Sequence, residues 1–215
     1  MTRKPRILLG VSGSVAAVKA PELALRLHAF ADVRVVVTAS AEFFLARAKE
    51  YDAEHAARFE AARDAIPVIR DADEWAAWNV VGDPVVHIDL KDWADMVVIA
   101  PLSANTLAKL ANGLSDNLLT CVARAWTISK PIIVAPAMNT DMWNHPLTDR
   151  HLRVLEELNY KIIPPVEKRL ACGVVGACSL SCSRVGIDCR VYSLGLVCSL
   201  QAKEDSHPWT QLSIL

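Results

Sequence analysis

The sequence predicts an α/β fold: a doubly wound parallel sheet with helices on both faces. Three observations point there. Short apolar runs recur along the chain without the polar alternation of a half-exposed strand. Segments of helical composition separate them, at the spacing of strand–helix–strand units. Small polar residues follow the runs, where such a sheet presents the carboxyl ends of its strands.

The elements follow in order. RILLGVS (6–12) is a short apolar run ending in glycine and serine, suited to a buried strand, and SVAAVKAPELALRLHAF (14–30) reads as a helix. DVRVVVTAS (32–40) is a second, valine-rich strand. The Ala/Glu/Arg-rich segment 43–64 has strong helix propensity and reads as one long surface helix. IPVIRDADEWAAW gives a short extended piece and a short helix. VVHIDL (85–90) leads through KDWAD into the buried strand MVVIAPL (96–102), which places His87 at a strand edge. Helical patterns occupy 103–112 and 115–127, KPIIVAPAM (130–138) is the next strand, and PLTDRHLRVLEELN (146–159) is a helix with Pro146 near its start. YKIIPP closes the series with a short strand.

The 215 residues suffice for one substantial domain, and 53% hydrophobic against 22% charged residues lets that domain bury a large core. A formal net charge of -1 without a lysine or arginine block lacks the footprint of a nucleic-acid binder. No run approaches the roughly 18 apolar residues of a membrane span. The basic and apolar start MTRKPRILLGVSGSVAAVKA is interrupted by Gly10, Ser12, Gly13 and Ser14, which suits a strand, turn and helix better than a signal peptide. A soluble, cytoplasmic protein is expected, with no nucleic-acid or membrane partner. Cys121 stands alone while Cys172, Cys178, Cys182, Cys189 and Cys198 crowd the C-terminal segment. They form no C-x-x-C pair, so no metal site is expected.

The strand ends GVSGSVAA, VVTAS, APLSANT and APAMNTDMW converge on one predicted rim. The first brings glycine and serine to a strand-to-helix turn, where backbone N–H groups suit an anion. It matches neither G-x-G-x-x-G nor a P-loop. A dinucleotide domain would place an acid near the end of the second strand, whereas this chain has Thr38, Ala39 and Ser40, which suit a phosphate or flavin better than an adenosine ribose. PLSANT adds Ser103, Asn105 and Thr106. Ordinary helix capping explains each stretch singly. Together they favour a phosphorylated ligand with an uncharged ring.

GSVAA, HIDL, PLSANTLAKLANGLSDNLLTCVARAW, PAMNTDMW and RLACG together resemble the homo-oligomeric flavin-containing cysteine decarboxylases, the phosphopantothenoylcysteine decarboxylases of plants above all. The resemblance runs from about residue 5 to Gly173. It implies a Rossmann-like (flavodoxin-like) subunit, assembled as a homotrimer with FMN near subunit contacts. It further implies decarboxylation of 4'-phosphopantothenoyl-L-cysteine in coenzyme A biosynthesis. The family oxidises the thiol-bearing carbon so that the adjacent carboxylate can leave, then returns the electrons. Carried over to this chain, FMN is held by Gly13, Ser14, Val15, Thr38, Ser40, Ser103, Ala104, Asn105 and Thr106. Asn139 holds the substrate carboxylate between Met138, Met142 and Trp143. His87 serves decarboxylation and Cys172 gives the final proton. Read without the resemblance, Asn139 caps a turn, Met138, Met142 and Trp143 are core, and His87 is a satisfied structural histidine.

The chain departs from the family after ACG. There relatives carry an acidic, glycine-rich flap, whereas residues 174–215 form a Cys/Ser-rich tail without sustained helical period. The tail resembles a retained intron or a shifted frame more than a variant flap. Residues 1–173 are therefore expected to bind flavin and assemble, with turnover depending on the tail. Two alternatives accompany the decarboxylase: a peptidyl-cysteine decarboxylase, and a flavin-binding regulatory or catalytically impaired subunit of the phosphatase-regulating, salt-tolerance type. The tail's few acids, Asp188, Glu204 and Asp205, disfavour the regulatory reading.

Overall fold

The computed structural model describes residues 3–163 and the backbone of two further strands at 166–169 and 175–178. Strands β1 (Arg6–Val11), β2 (Asp32–Val37), β3 (Val68–Ile69), β4 (Met96–Leu102), β5 (Ile132–Pro136) and β6 (Tyr160–Ile162) form a six-stranded sheet in the order β3-β2-β1-β4-β5-β6. Every pairing is parallel. The winding direction reverses between β1 and β4, and ligands of open α/β sheets bind at such a reversal. β7 (Val166–Arg169) and β8 (Val175–Cys178) form a separate antiparallel pair.

Side-chain alternation sorts the apolar strand residues onto two faces. Ile7, Leu9 and Val11 of β1, with Val33, Val35 and Val37 of β2, pack against α1 (Ala20–His28) through Leu23, Ala24 and Leu27. Leu8, Val36, Val97, Ile99, Ile132 and Val134 point the other way. They meet α6 (Val86–Trp93), α7 (Ala104–Ala111), α8 (Leu118–Ala125) and α10 (Pro146–Glu157). Burial of strands on both faces explains their lack of polar residues. Gly10 is required by this packing: a Cβ there would stand 2.5 Å from Leu119 Cδ1 on α8.

Three expectations need correction. The first helix begins as a 3-10 turn, Val15–Lys19, and becomes α-helical only at Ala20. The long helix over 43–64 is three short ones: α2 (Ala39–Leu45), α3 (Ala48–Tyr51) and α4 (Ala53–Ala61). Asp52 breaks it by taking an extended backbone, φ -150°, and accepting the His55 N–H at 3.0 Å as an N-cap. Propensity counts alanines and glutamates but misses a capping aspartate among them. Finally, His87 is in the first turn of α6, not at a strand edge. α6 is followed by β4 and runs against the strand direction, so this first turn lies towards the carboxyl ends of the strands. Among the described residues no helix is long and apolar enough to cross a membrane.

Candidate active site

The carboxyl-end rim is built from capped helix starts. Ser14 caps the 3-10 turn, its Oγ accepting from the Ala16 N–H at 3.3 Å. Thr38 follows β2 and caps α2, with Oγ1 accepting from the Ala41 N–H at 3.3 Å and sharing a hydrogen bond with Ser40 Oγ. Ser103 follows β4 and caps α7, accepting from the Thr106 N–H and donating to the Thr106 hydroxyl. Thr38, Ser103 and Thr106 are buried, whereas Val15, Ser40 and Asn105 are exposed. The capping account therefore holds for Ser14, Thr38 and Ser103. It is also compatible with a ligand, because each cap leaves further first-turn N–H groups without helical partners.

Ser12, which the sequence reading did not single out, joins the two strands at the reversal. Its side chain is fully buried; Oγ donates to Pro101 O at 2.7 Å and accepts from the Ser103 N–H at 2.7 Å. The only signal in the sequence is a hydroxyl at the end of an apolar run. Its partners lie 89 and 91 positions away, so only the fold reveals the link.

Asn139 follows β5 and caps α9 (Thr140–Asn144), Oδ1 accepting from the Met142 N–H at 2.8 Å. With Oδ1 so committed, Nδ2 is the atom that can donate to a carboxylate. Met138 is 8% exposed and belongs to the core, so it forms the floor beneath the rim rather than a wall of it. Met142 is 52% exposed. It lines a groove of about 350 Å³ with Ala104, Asp141, His145, Thr148 and His151, between α7, α9 and α10.

His87 occupies a different groove, of about 630 Å³, with Glu74, Trp75, Trp78, Asn117 and Cys121. Glu74 comes from α5 (Asp71–Ala77), and its Oε1 is hydrogen-bonded to His87 Nδ1. Asp71 Oδ1 accepts from the Leu118 N–H at 2.9 Å, which ties α5 to the start of α8. The Cys121 thiol is pushed up by burial first, then by the carboxylates of Glu74, Asp116 and Asp71. No residue lines both this groove and the Met142 groove. The fold thus gathers Gly13, Ser14, Thr38, Ser40, Ser103 and Asn139 on one rim, and leaves His87 in a groove of its own. Cys172 lies outside the described residues.

The chain matches the family described as Flavoprotein over residues 1–184. This chain belongs to the flavoprotein family. It is 53% identical over 174 residues to phosphopantothenoylcysteine decarboxylase of Arabidopsis thaliana, covering 81% of this chain and 78% of that protein. The mouse (Mus musculus) phosphopantothenoylcysteine decarboxylase is 46% identical over 175 residues, covering 81% and 79%. Among solved structures, a cysteine-to-serine variant of PPC decarboxylase complexed with pantothenoylaminoethenethiol superposes with a TM-score of 0.79. It is 49% identical, over 88% of this chain and 98% of that one. The FMN binding protein AtHal3 gives a TM-score of 0.77 at 50% identity, over 88% and 97%. The FMN-dependent cysteine decarboxylase SpaF gives 0.65 at 28%, over 88% and 97%.

The rim of this flavoprotein fits a flavin phosphate. Its donors are hydroxyls and first-turn N–H groups, and no carboxylate ends β2 where a ribose diol would need one. The acid in the first turn of α2, Glu42, is paired with Arg70. Gly13 keeps the cradle open: a Cβ there would fall 2.2 Å from Ser40 Oγ and 2.6 Å from Ser40 Cβ.

Proposed function

We propose that this flavoprotein holds FMN at its carboxyl-end rim and decarboxylates 4'-phosphopantothenoyl-L-cysteine to 4'-phosphopantetheine, a step of coenzyme A biosynthesis, as a homotrimer. The observation that carries the reading is the 49% identical superposition on PPC decarboxylase complexed with pantothenoylaminoethenethiol. The peptidyl-cysteine reading stays the alternative; SpaF, an FMN-dependent cysteine decarboxylase, is 28% identical.

When bound, FMN supplies the reversible two-electron oxidation that gives a departing carboxylate's electrons a place to go. The chain's own residues do the rest. Gly13, Ser14, Val15, Thr38, Ser40, Ser103, Ala104, Asn105 and Thr106 form the cradle, by backbone donors and hydroxyls. Asn139 Nδ2 donates to the substrate carboxylate and orients it. A neutral amide suits this task, since a cation would stabilise the charge that the reaction must discharge. Met142 and Trp143 give apolar surface beside it, and exclusion of water there also favours loss of charge. His87 acts from the second groove, and Cys172 gives the final proton.

Exposed apolar side chains line the His87 groove, Trp75 at 78% with Trp78 and Val85 also open to solvent, and Val80, Val81 and Ile88 beside them in the chain are exposed as well. A patch of this kind marks an interaction surface, and a second copy of the chain covering it accounts for the separate position of His87. The C-terminal tail then decides turnover, because closing segments complete a site and exclude water.

The test is direct. The purified chain is expected to be yellow, with a bound-flavin spectrum, to sediment as a trimer, and to release carbon dioxide from 4'-phosphopantothenoyl-L-cysteine. Colour without gas makes it a flavin-binding subunit halted by its tail. A colourless chain that binds no added FMN overturns the reading.

A further inference from the structure

Glu74 has no part in the mechanism above, although its partner His87 does. The two residues lie thirteen positions apart on different helices, and their side chains are 13% and 26% exposed. Glu74 Oε1 meets His87 Nδ1 in the wall of the larger groove. α5 is held in place from both ends of its first turn: the Arg70 N–H donates to Asp73 Oδ2 at 2.7 Å, and Asp71 receives the Leu118 N–H. The carboxylate is therefore presented by an anchored helix rather than by a loose surface chain.

Cys121 makes this a cluster of three donors, with one atom from each side chain within 4.8 Å of the others. A cation site is the poorer account of the cluster. The thiol donates to Ser115 O at 3.4 Å, and burial with three nearby carboxylates pushes it up. Any cation there would have to displace that proton and break the Ser115 contact. What the geometry supports is a proton placed between carboxylate and imidazole.

We propose that Glu74 is a positioning residue for His87. It holds the ring as the Nδ1–H tautomer and leaves Nε2 as the ring's only acceptor. A free imidazole exchanges its proton between two nitrogens and turns about two side-chain bonds; an oriented carboxylate on Nδ1 removes both freedoms. The consequence for the reaction rests on the decarboxylase reading, whereas the consequence for the tautomer does not.

The experiment uses the full chain with ¹⁵N-labelled histidine, in the wild type and in Glu74→Leu and Glu74→Gln. Long-range ¹H–¹⁵N correlation in mildly alkaline solution reports which nitrogen of His87 carries the proton, with His87→Ala assigning the signal. The wild type is expected to show Nδ1–H. Glu74→Leu, which offers no acceptor, should shift the proton to Nε2. Glu74→Gln, whose Oε1 still accepts, should restore Nδ1–H. In turnover, Glu74→Leu should lower kcat by roughly 10- to 100-fold with KM and flavin loading unchanged, as removal of an orienting partner does elsewhere. Glu74→Gln should recover part of the rate, and Glu74→Leu should add no further loss in a His87→Ala background. An Nε2–H ring in the wild type, or a Glu74→Leu chain with wild-type kcat, overturns the proposal. A wild type that shows the Nδ1–H ring and its loss in Glu74→Leu, but releases no carbon dioxide, supports the positioning role and counts against the activity alone.

Discussion

Replacing Asn139 separates its two jobs. As an N-cap it accepts the Met142 N–H at 2.8 Å through Oδ1. As a ligand group it offers Nδ2 to a carboxylate. Aspartate is as good an N-cap as asparagine, so Asn139→Asp preserves the first job and reverses the second. The lost amide donor is worth about 1.5–3 kcal/mol to a charged partner. Two like charges about 4 Å apart add about 1 kcal/mol in water and about 4 kcal/mol near a protein surface. Because Asn139 is exposed, the low end applies. The two low ends sum to about 2.5 kcal/mol, or on the order of 10²-fold in substrate affinity and kcat/KM. Asn139→Ala instead removes the cap, costs about 1 kcal/mol of stability and lowers Tm by about 2–4 °C. Calorimetric titration with 4'-phosphopantothenoyl-L-cysteine, beside a thermal melt, reads both effects. An Asn139→Asp chain that melts and binds substrate like the wild type would refute the assignment.

Other substitutions test the rim and the core. Gly13→Ala should lose bound flavin, because the added methyl collides with Ser40 at its Cβ as well as its hydroxyl; retention of the yellow colour would contradict the cradle. Ser12→Ala strands the buried Ser103 N–H and should cost about 1–3 kcal/mol in urea unfolding, with weakened flavin affinity. Tyr160 gives a pH test. Burial pushes its phenol up to about 12, so the folded chain keeps a proton that the unfolded chain releases near 10. Its contribution is complete below pH 10 and is lost as pH rises through 12, about 2–3 kcal/mol in all. Tyr160→Phe should flatten that alkaline decline in the unfolding free energy, and an unchanged slope would show that the phenol is not the cause.

Much of the architecture was legible along the chain. β1, β2, β4 and β5 are apolar runs because both faces of the sheet are covered, so burial leaves its mark residue by residue. Ser14, Thr38, Ser103 and Asn139 were legible as polar residues closing those runs, since a helix N-terminus needs a local acceptor wherever the helix sits. The break at Asp52 was less so, because one capping residue outweighs the summed propensity of its neighbours. The helical setting of His87 was obscured by the β-branched residues around it, which α6 buries or exposes according to its packing. Ser12 and Glu74 gave almost no signal. Their partners come from other elements, and a hydrogen bond between distant residues leaves no period or spacing in the sequence.

By itself the sequence determined the alternation of strands and helices, the small polar residues at the strand ends, and membership of the flavoprotein family through its motifs. Those properties depend on local propensity, burial pattern and residue order. Only the tertiary structure decided that Ser12 joins β1 to β4, that Met138 is floor and Met142 is rim, and that His87 lies in a separate groove with Glu74. Those outcomes depend on which elements pack together, and that is fixed by the close meeting of side chains across the sheet and between helices.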